Sequence, residues 1–142
     1  MEARALVAAG LLLFAAPASA DVLERLAATA WGHDFSADAT CLNPHRFSFP
    51  ADRSRLIVTW DAPITDYEGN ERLSGGYDVL EEGERSLTLA LHGESRLGPD
   101  GEPVLWVLQL LETGVYCWRT DDQTILQCAH PAMACPAPLP LS

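Results

Sequence analysis

Two apolar runs on either side of one turn decide the fold of this chain: Leu87-Thr88-Leu89-Ala90-Leu91, the turn Gly98-Pro99-Asp100-Gly101, and Val104-Leu105-Trp106-Val107-Leu108-Gln109-Leu110-Leu111. In the first run, leucine alternates with Thr or Ala, which is the period of two of a β-strand. In the turn, Pro presets its own φ, Asp can bond the backbone ahead, and Gly101 can take the left-handed conformation. These residues predict an antiparallel hairpin.

Short apolar runs separated by clusters of turn residues continue over most of the chain. Pro50-Ala51-Asp52-Arg53-Ser54 and Glu81-Glu82-Gly83-Glu84 each separate two apolar runs, as hairpin turns do. Before Trp31, the spacing of Val22, Leu23, Leu26 and Ala30 predicts one short helix, with Asp21 placed to cap it. We expect about eight strands, at residues 31–36, 45–49, 55–60, 76–80, 86–97, 103–111, 115–119 and 124–128.

Consecutive hairpins without a long helical crossover predict an all-β, up-and-down meander, and closure into a barrel would remove its exposed edges. The run 104–111 is apolar on both faces, so the helix, the tail or a partner should cover its outer side. This plan resembles the lipocalin and calycin architecture, although Thr29-Ala30-Trp31 stands where that family has Gly-x-Trp. Ser74-Gly75-Gly76-Tyr77 is similar to an element of the small periplasmic lysozyme inhibitors but is one residue shorter.

The first twenty residues predict a secretory signal peptide. Arg4 precedes an apolar run over residues 5–14, and Ala18-Ser19-Ala20 is an A-x-A cleavage site. The alternative is a short amphipathic helix that stays attached. No Cys follows the site to receive a lipid, so we expect a chain that begins at Asp21, in the periplasm or secreted. The expected organisation is residues 1–20 as signal peptide, 21–130 as one barrel domain, and 131–142 as a proline-rich tail.

The four cysteines, Cys41, Cys117, Cys128 and Cys135, predict two disulfides in an exported chain of this size. A zinc site is the competing interpretation, but gaps of 76, 11 and 7 residues do not give the close pairs that zinc requires. Of the three possible connectivities we favour Cys117–Cys128 with Cys41–Cys135. In the first pair, the two cysteines would face each other across a turn centred on Asp122-Gln123.

Composition excludes several classes of function. The 142 residues suit a single domain, and nine basic against 20 acidic residues give a net charge of -11, which repels nucleic acid and anionic lipid. All nine bases are Arg, so chemistry that needs a catalytic Lys is excluded. The four His form no zinc-peptidase pair, and Ser74 lies in no nucleophile motif. We therefore expect neither an enzyme nor a cofactor.

Two polar sites remain as weaker alternatives to solvated surface. His92 and Glu94 lie two apart and would share one face of a strand, where they could ligate a metal or exchange a proton. The acidic stretch that contains Asp66, Glu68 and Asn70 has oxygen ligands for calcium, but Gly69 comes too early for a regular calcium loop. His33 and the adjacent Asp34 would face opposite sides of a strand.

Aromatic residues give the remaining functional signal. Trp31, Trp60, Tyr77 and Trp106 lie on separate predicted strands, where inward rings could line a ligand cavity or simply fill the core. A three-residue turn at 99–101 would set Glu94 opposite Trp106 and turn the indole outward, whereas a two-residue turn would set Gly93 opposite Trp106 and turn it inward, which we favour.

These observations favour an exported, non-enzymatic binding module that holds an apolar or aromatic small ligand. The alternative is a protein-docking module, either an inhibitor of a basic enzyme such as lysozyme or an accessory subunit, which would use the strand 104–111 and the acidic surface.

Overall fold

The computed structural model describes residues 20–33, 41–66, 68–112, 114–123, 128 and 131–137, and within them the chain forms a closed antiparallel barrel. The elements are α1 (Val22–Ala27), β1 (Ala30–His33), β2 (His45–Ser48), β3 (Arg55–Thr65), β4 (Glu71–Glu82), β5 (Ser86–Leu91), β6 (Trp106–Glu112), β7 (Val115–Thr120) and β8 (Ala132–Ala134). Each strand pairs with the next, and β8 pairs with β1. The predicted all-β barrel with one short helix is confirmed. Of the predicted signal peptide at 1–20, residues 1–19 lie outside the described residues.

Alternation along the strands places one set of side chains in the core. Leu56, Leu87, Leu89 and Leu108 are fully buried, as the leucine face of the predicted hairpin requires. The helix adds Val22, Leu23 and Leu26 to the same core. Its cap is the predicted one, since the Asp21 carboxylate accepts a hydrogen bond of 2.9 Å from the Glu24 amide.

The hairpin of β3 and β4 is longer than predicted, because the acidic stretch between them forms a tight turn. The Asp66 carboxylate accepts hydrogen bonds from the amides of Glu68 and Asn70, at 3.0 and 2.8 Å, and from the Arg72 guanidinium. Gly69 supplies the left-handed backbone, with φ at +84°. These bonds hold the pKa of Asp66 below its usual range, the bond from Arg72 contributing most. The carboxylate organises a hairpin and is not arranged as a calcium loop.

The strand that closes the barrel lies in the segment assigned to the tail. The structure places β8 at Ala132–Ala134, where Ala132 pairs with both His33 and Tyr116. The barrel therefore extends past residue 130. The predicted strand at 124–128 lies outside the described residues except for Cys128, which belongs to no strand. The sequence pattern does not predict β8, because the strand is short and flanked by Pro131 and Pro136. Outside the strand, the amide hydrogen that proline lacks is not needed for the ladder.

Both predicted disulfides are present. Cys41 bonds to Cys135 and Cys117 to Cys128, with Cα atoms 5.6 Å apart in each pair. The reason given for the second pair is wrong, because Cys117 lies in β7, whose neighbours are β6 and β8, and Cys128 is not a cross-strand partner. The disulfide between Cys41 and Cys135 lies directly after β8. It links the end of that strand to the residues before β2.

Candidate functional site

The register between β5 and β6 decides where Trp106 points. The turn at 98–101 has the three-residue form, with the Gly98 amide bonded to the Glu102 carbonyl at 2.8 Å and Gly101 at φ +80°. In the strands, however, Leu89 pairs with Trp106 and Leu87 with Leu108, which is neither of the registers considered. Residues 92–96 lie outside the ladder between β5 and β6. The chain bends within this segment at Gly93, where φ is +81°. Trp106 therefore shares the inward face with the leucines.

A cavity of about 370 Å³ opens between β3, β4, the start of β6 and the residues that follow β5. Trp60, Tyr77 and Trp106 supply its aromatic walls, and Val58 and Leu91 add apolar surface. The polar side chains in its lining are Asp66, Glu68, Arg72, Ser74 and His92. The structure thus brings three of the four predicted ligand-binding residues to one cavity.

The fourth, Trp31, lies elsewhere in the barrel. Its side chain is 2% exposed, donates a hydrogen bond of 2.9 Å to the Leu26 carbonyl, and packs edge-on against Tyr116 with ring centroids 5.1 Å apart. It does not line the cavity. Trp31 belongs to the buried core and connects α1 to it through this hydrogen bond.

A second layer of aromatic side chains supports the cavity walls. Trp118 stacks on Tyr77 at 5.3 Å with an interplanar angle of 24°, and meets the Trp106 ring edge-on at 5.9 Å. Trp118 is not among the four residues that the sequence predicts to bind a ligand. Its position could have been found, because Tyr116, Trp118 and Thr120 share one face of β7 and Tyr116 belongs to the core.

Trp106 is held from its polar edge and from one face. The indole Nε1 donates a hydrogen bond of 2.8 Å to the Glu94 carboxylate, and the Arg96 guanidinium lies 4.8 Å from the centre of the ring. Arg96 also donates to both oxygens of Glu94, at 3.1 and 3.3 Å. The Glu94 side chain is only 3% exposed. Burial alone would raise its pKa, but the hydrogen bonds from Arg96 and Trp106 lower the pKa of Glu94 to about 2.

Tyr77 stays protonated at any ordinary pH. Burial, together with the negative charge of Glu94, raises the pKa of the Tyr77 hydroxyl to about 12. The cavity wall therefore presents a neutral phenol and two indoles.

His92 and Glu94 do not form the shared site considered for them. The His92 Nε2 lies 2.8 Å from an Asp78 oxygen, whereas Glu94 bonds Trp106 and Arg96. A Cβ on Gly76 would come within 2.8 Å of the His92 ring, so only glycine lets this imidazole lie against β4. Within the described residues, no three His, Cys, Asp or Glu side chains converge as metal ligands. Asp34, considered with His33, lies outside those residues.

The two loops at the mouth of the cavity are joined to each other. The Ser95 hydroxyl donates a hydrogen bond of 3.2 Å to Glu68, which connects the segment after β5 with the turn between β3 and β4. Arg72 and Asp66 form an ion pair beside this contact. The mouth is therefore polar and the interior aromatic, which is the usual layout of a small-molecule site.

A second polar cluster lies inside the barrel beside Trp60, whose ring centroid is 6.1 Å from that of His45. His45 bonds the Tyr116 hydroxyl through Nε2 and stacks on His33, with ring centroids 4.8 Å apart. Burial, with a smaller contribution from His33, lowers the pKa of His45 to about 3. The imidazole is therefore neutral and acts as a hydrogen-bonded core residue.

Comparison with known proteins identifies no relative of this chain. The chain matches no protein-family model, and no curated protein or solved structure is similar enough to count as a relative. In the described part of the chain, no helix has both the length and the apolar character needed to cross a membrane.

Proposed function

We propose that this protein is an exported, non-enzymatic binding module that holds a small ligand with an apolar or aromatic body. One observation carries the proposal: Trp60, Tyr77 and Trp106, from three different strands, surround a single cavity of about 370 Å³. Small-molecule sites typically have volumes of about 300–1,000 Å³ and present a few polar groups beside apolar walls.

The support behind the walls favours binding. Trp118 stacks on Tyr77, and Glu94 and Arg96 fix Trp106, so neither ring has to be ordered when a ligand enters. A preformed site avoids much of the entropic cost of association.

The alternative, a docking module for a basic protein, would use the outer side of strand 104–111 and the acidic surface. Val107 on that strand is only 6% exposed, and Trp106 points into the barrel. This weakens the case for that strand as the docking surface, and the acidic surface by itself affects the rate of association more than its strength. We therefore keep the cavity as the proposed site.

A neutral aromatic probe tests the proposal. We expect N-phenyl-1-naphthylamine to bind the protein saturably, with one probe per chain and enhanced fluorescence. Trp60→Ala should weaken this binding by about tenfold or more, because a large apolar contact is lost. Leu80→Ala is the matched control, since Leu80 is exposed on β4 and does not line the cavity.

Circular dichroism would verify that both variants are folded. Absence of saturable binding by the parent protein, or equal affinity in Trp60→Ala, would contradict a ligand cavity. Recovery of a stoichiometric protein partner in place of a small molecule, from protein purified under native conditions, would favour the docking module.

Export is part of the same proposal. The two disulfides suit an oxidising compartment, and Asp21, the residue after the A-x-A site, caps α1 and pairs with Arg53 at 2.6 Å. Asp21 thus has a structural role at the position where the mature chain should begin. The intact mass of protein recovered from the periplasm or medium should correspond to residues 21–142, without free thiols. A mass that includes residues 1–20 would contradict cleavage.

A further inference from the structure

The charges around the cavity mouth do not cancel. Asp66, Glu68 and Arg72 line it, and the Arg72 guanidinium donates to Asp66, which neutralises both members of that pair. The Glu68 carboxylate accepts hydrogen bonds from two neutral groups, the Ser95 hydroxyl at 3.2 Å and the side-chain amide of Asn70 at 3.5 Å. Glu68 thus adds a negative charge at the entrance.

The aromatic walls favour the opposite charge for a second reason. The face of an indole or phenol ring carries partial negative charge and attracts cations. This chain already places a cation on one of these rings, since Arg96 lies 4.8 Å from the centre of Trp106. Glu94, ionised and 3% exposed, lies at the edge of the same ring. Arg96 already occupies the corner between the ring and this carboxylate and pairs with Glu94, so the corner shows that an aromatic ring beside a carboxylate accommodates a cation in this protein.

We infer that the ligand is an organic cation, an alkylated ammonium group on an apolar or aromatic body, with the ammonium near Glu68 and the body between Trp60, Tyr77 and Trp106. This inference rests on the proposed ligand cavity and specifies the class of ligand. The aromatic rings contact the methyl or methylene groups around the nitrogen, and the carboxylate supplies long-range attraction.

The charge of the whole molecule points the same way. A net charge of -11 repels anionic ligands and raises the local concentration of cationic ones around the mouth. A carboxylate-bearing ligand such as a fatty acid would approach against this field and meet Glu68 at the entrance. The site therefore discriminates by charge before it discriminates by shape.

Three ligands of matched shape test the inference. Phenyltrimethylammonium and tert-butylbenzene have the same heavy-atom skeleton and differ in charge, and 4-tert-butylbenzoate provides the anion. Displacement of N-phenyl-1-naphthylamine measures all three. We expect the cation to bind about tenfold more tightly than the neutral compound, as the attraction of a partly desolvated cation to aromatic rings implies. The benzoate should bind more weakly than both.

A charge-neutralising variant locates the effect. Glu68→Gln should weaken binding of phenyltrimethylammonium by about threefold at low salt, since the carboxylate lies at a solvated mouth. Its affinity for tert-butylbenzene should not change. Glu84→Gln is the control, because it removes the same charge from the turn after the far end of β4. That variant should bind both compounds as the parent protein does.

The possible results distinguish a wrong ligand class from a failure of the proposed binding function. If the probe and tert-butylbenzene bind but the ammonium compound binds no more tightly, the ligand class is wrong and the cavity stands. An unchanged affinity for the cation in Glu68→Gln would also overturn the inference. If none of the compounds binds, including the neutral probe, the proposed binding function itself fails.

Discussion

Trp106 lies directly opposite Leu89 on the paired strands β6 and β5, and the two side chains share the inward face of the barrel. Trp106→Ala should therefore behave as a core truncation. Because the indole is only partly buried, we expect a loss of about 3 kcal/mol in the free energy of unfolding, near the lower end for such substitutions. Urea denaturation followed by circular dichroism measures it.

The matched control is Leu97→Ala. Leu97 is 66% exposed on the same connection between β5 and β6, so its truncation should leave the free energy of unfolding nearly unchanged. Near-native stability of Trp106→Ala would show that the ring is not part of the core. Loss of a co-purifying protein in that variant would then support docking.

Glu94 should make the stability of the barrel depend on acid pH. Its pKa falls from the ordinary 4.5 to about 2 in the folded protein, so its ionised form stabilises the fold above pH 4.5. This contribution is lost as the pH decreases from 4.5 towards 2. Glu94→Gln should be less stable than the parent protein at pH 7.

The difference between the two proteins should narrow as the pH decreases through that window. Free energies of unfolding at pH 7, 5, 4 and 3 measure it, and comparing the two proteins removes the contribution of other carboxylates such as Asp66. A constant difference from pH 7 to pH 3 would contradict the lowered pKa.

His45 should remain neutral far below the ordinary pKa of an imidazole. Its pKa falls from 6.5 to about 3 because the ring is buried, so only the unfolded chain binds the proton between these values. The His45 contribution to stability is therefore complete above pH 6.5 and decreases as the pH falls from 6.5 to 3.

A pH titration of the histidine ring resonances by NMR tests this. The His45 signals, assigned by their loss in His45→Asn, should not shift between pH 8 and 4.5. Asparagine keeps a hydrogen-bonding group near the Tyr116 hydroxyl, which helps that variant to fold. A midpoint near pH 6.5 for His45 would contradict its burial.

The two disulfides should stabilise the domain unequally. Cys41–Cys135 spans 94 residues of sequence and Cys117–Cys128 spans 11. The chain-entropy relation gives about 4–5 kcal/mol for the first bond and about 3 kcal/mol for the second. The double variant Cys41→Ser with Cys135→Ser should therefore lose more stability than Cys117→Ser with Cys128→Ser, as urea denaturation would measure. Equal losses would argue against the entropic account.

The sequence was sufficient for the barrel but not for its closing strand. Alternating leucines and strong turn residues made the hairpins visible, and Asp21 marked the start of α1. By contrast, β8 consists of Ala-Met-Ala and has no alternation that could reveal it. It is a strand because β1 and β7 both need a neighbour, which is a property of the closed sheet and not of the segment.

The candidate site was predicted in part for a similar reason. Trp60, Tyr77 and Trp106 could be chosen because aromatic residues on inward faces meet inside a small barrel. Their separation from Trp31 depends on position along the strands, which periodicity does not give. The register at Trp106 also depends on the bend at Gly93. The five residues 92–96 lie outside the strands, between the paired residues Leu89–Trp106 and Leu97–Pro103. A turn motif fixes only the pairs beside it.

The pairing of β1 with β8 has a consequence for how the protein is made. During synthesis the chain emerges from its amino end, so β1 is complete about one hundred residues before its second neighbour exists. Throughout that interval one edge of β1 is open to pairing with other chains. The closed barrel and the bond between Cys41 and Cys135 therefore cannot form until residues 132–135 have been made. Chains that end before residue 132 would lack both, and should appear in the cell as aggregates or degradation products.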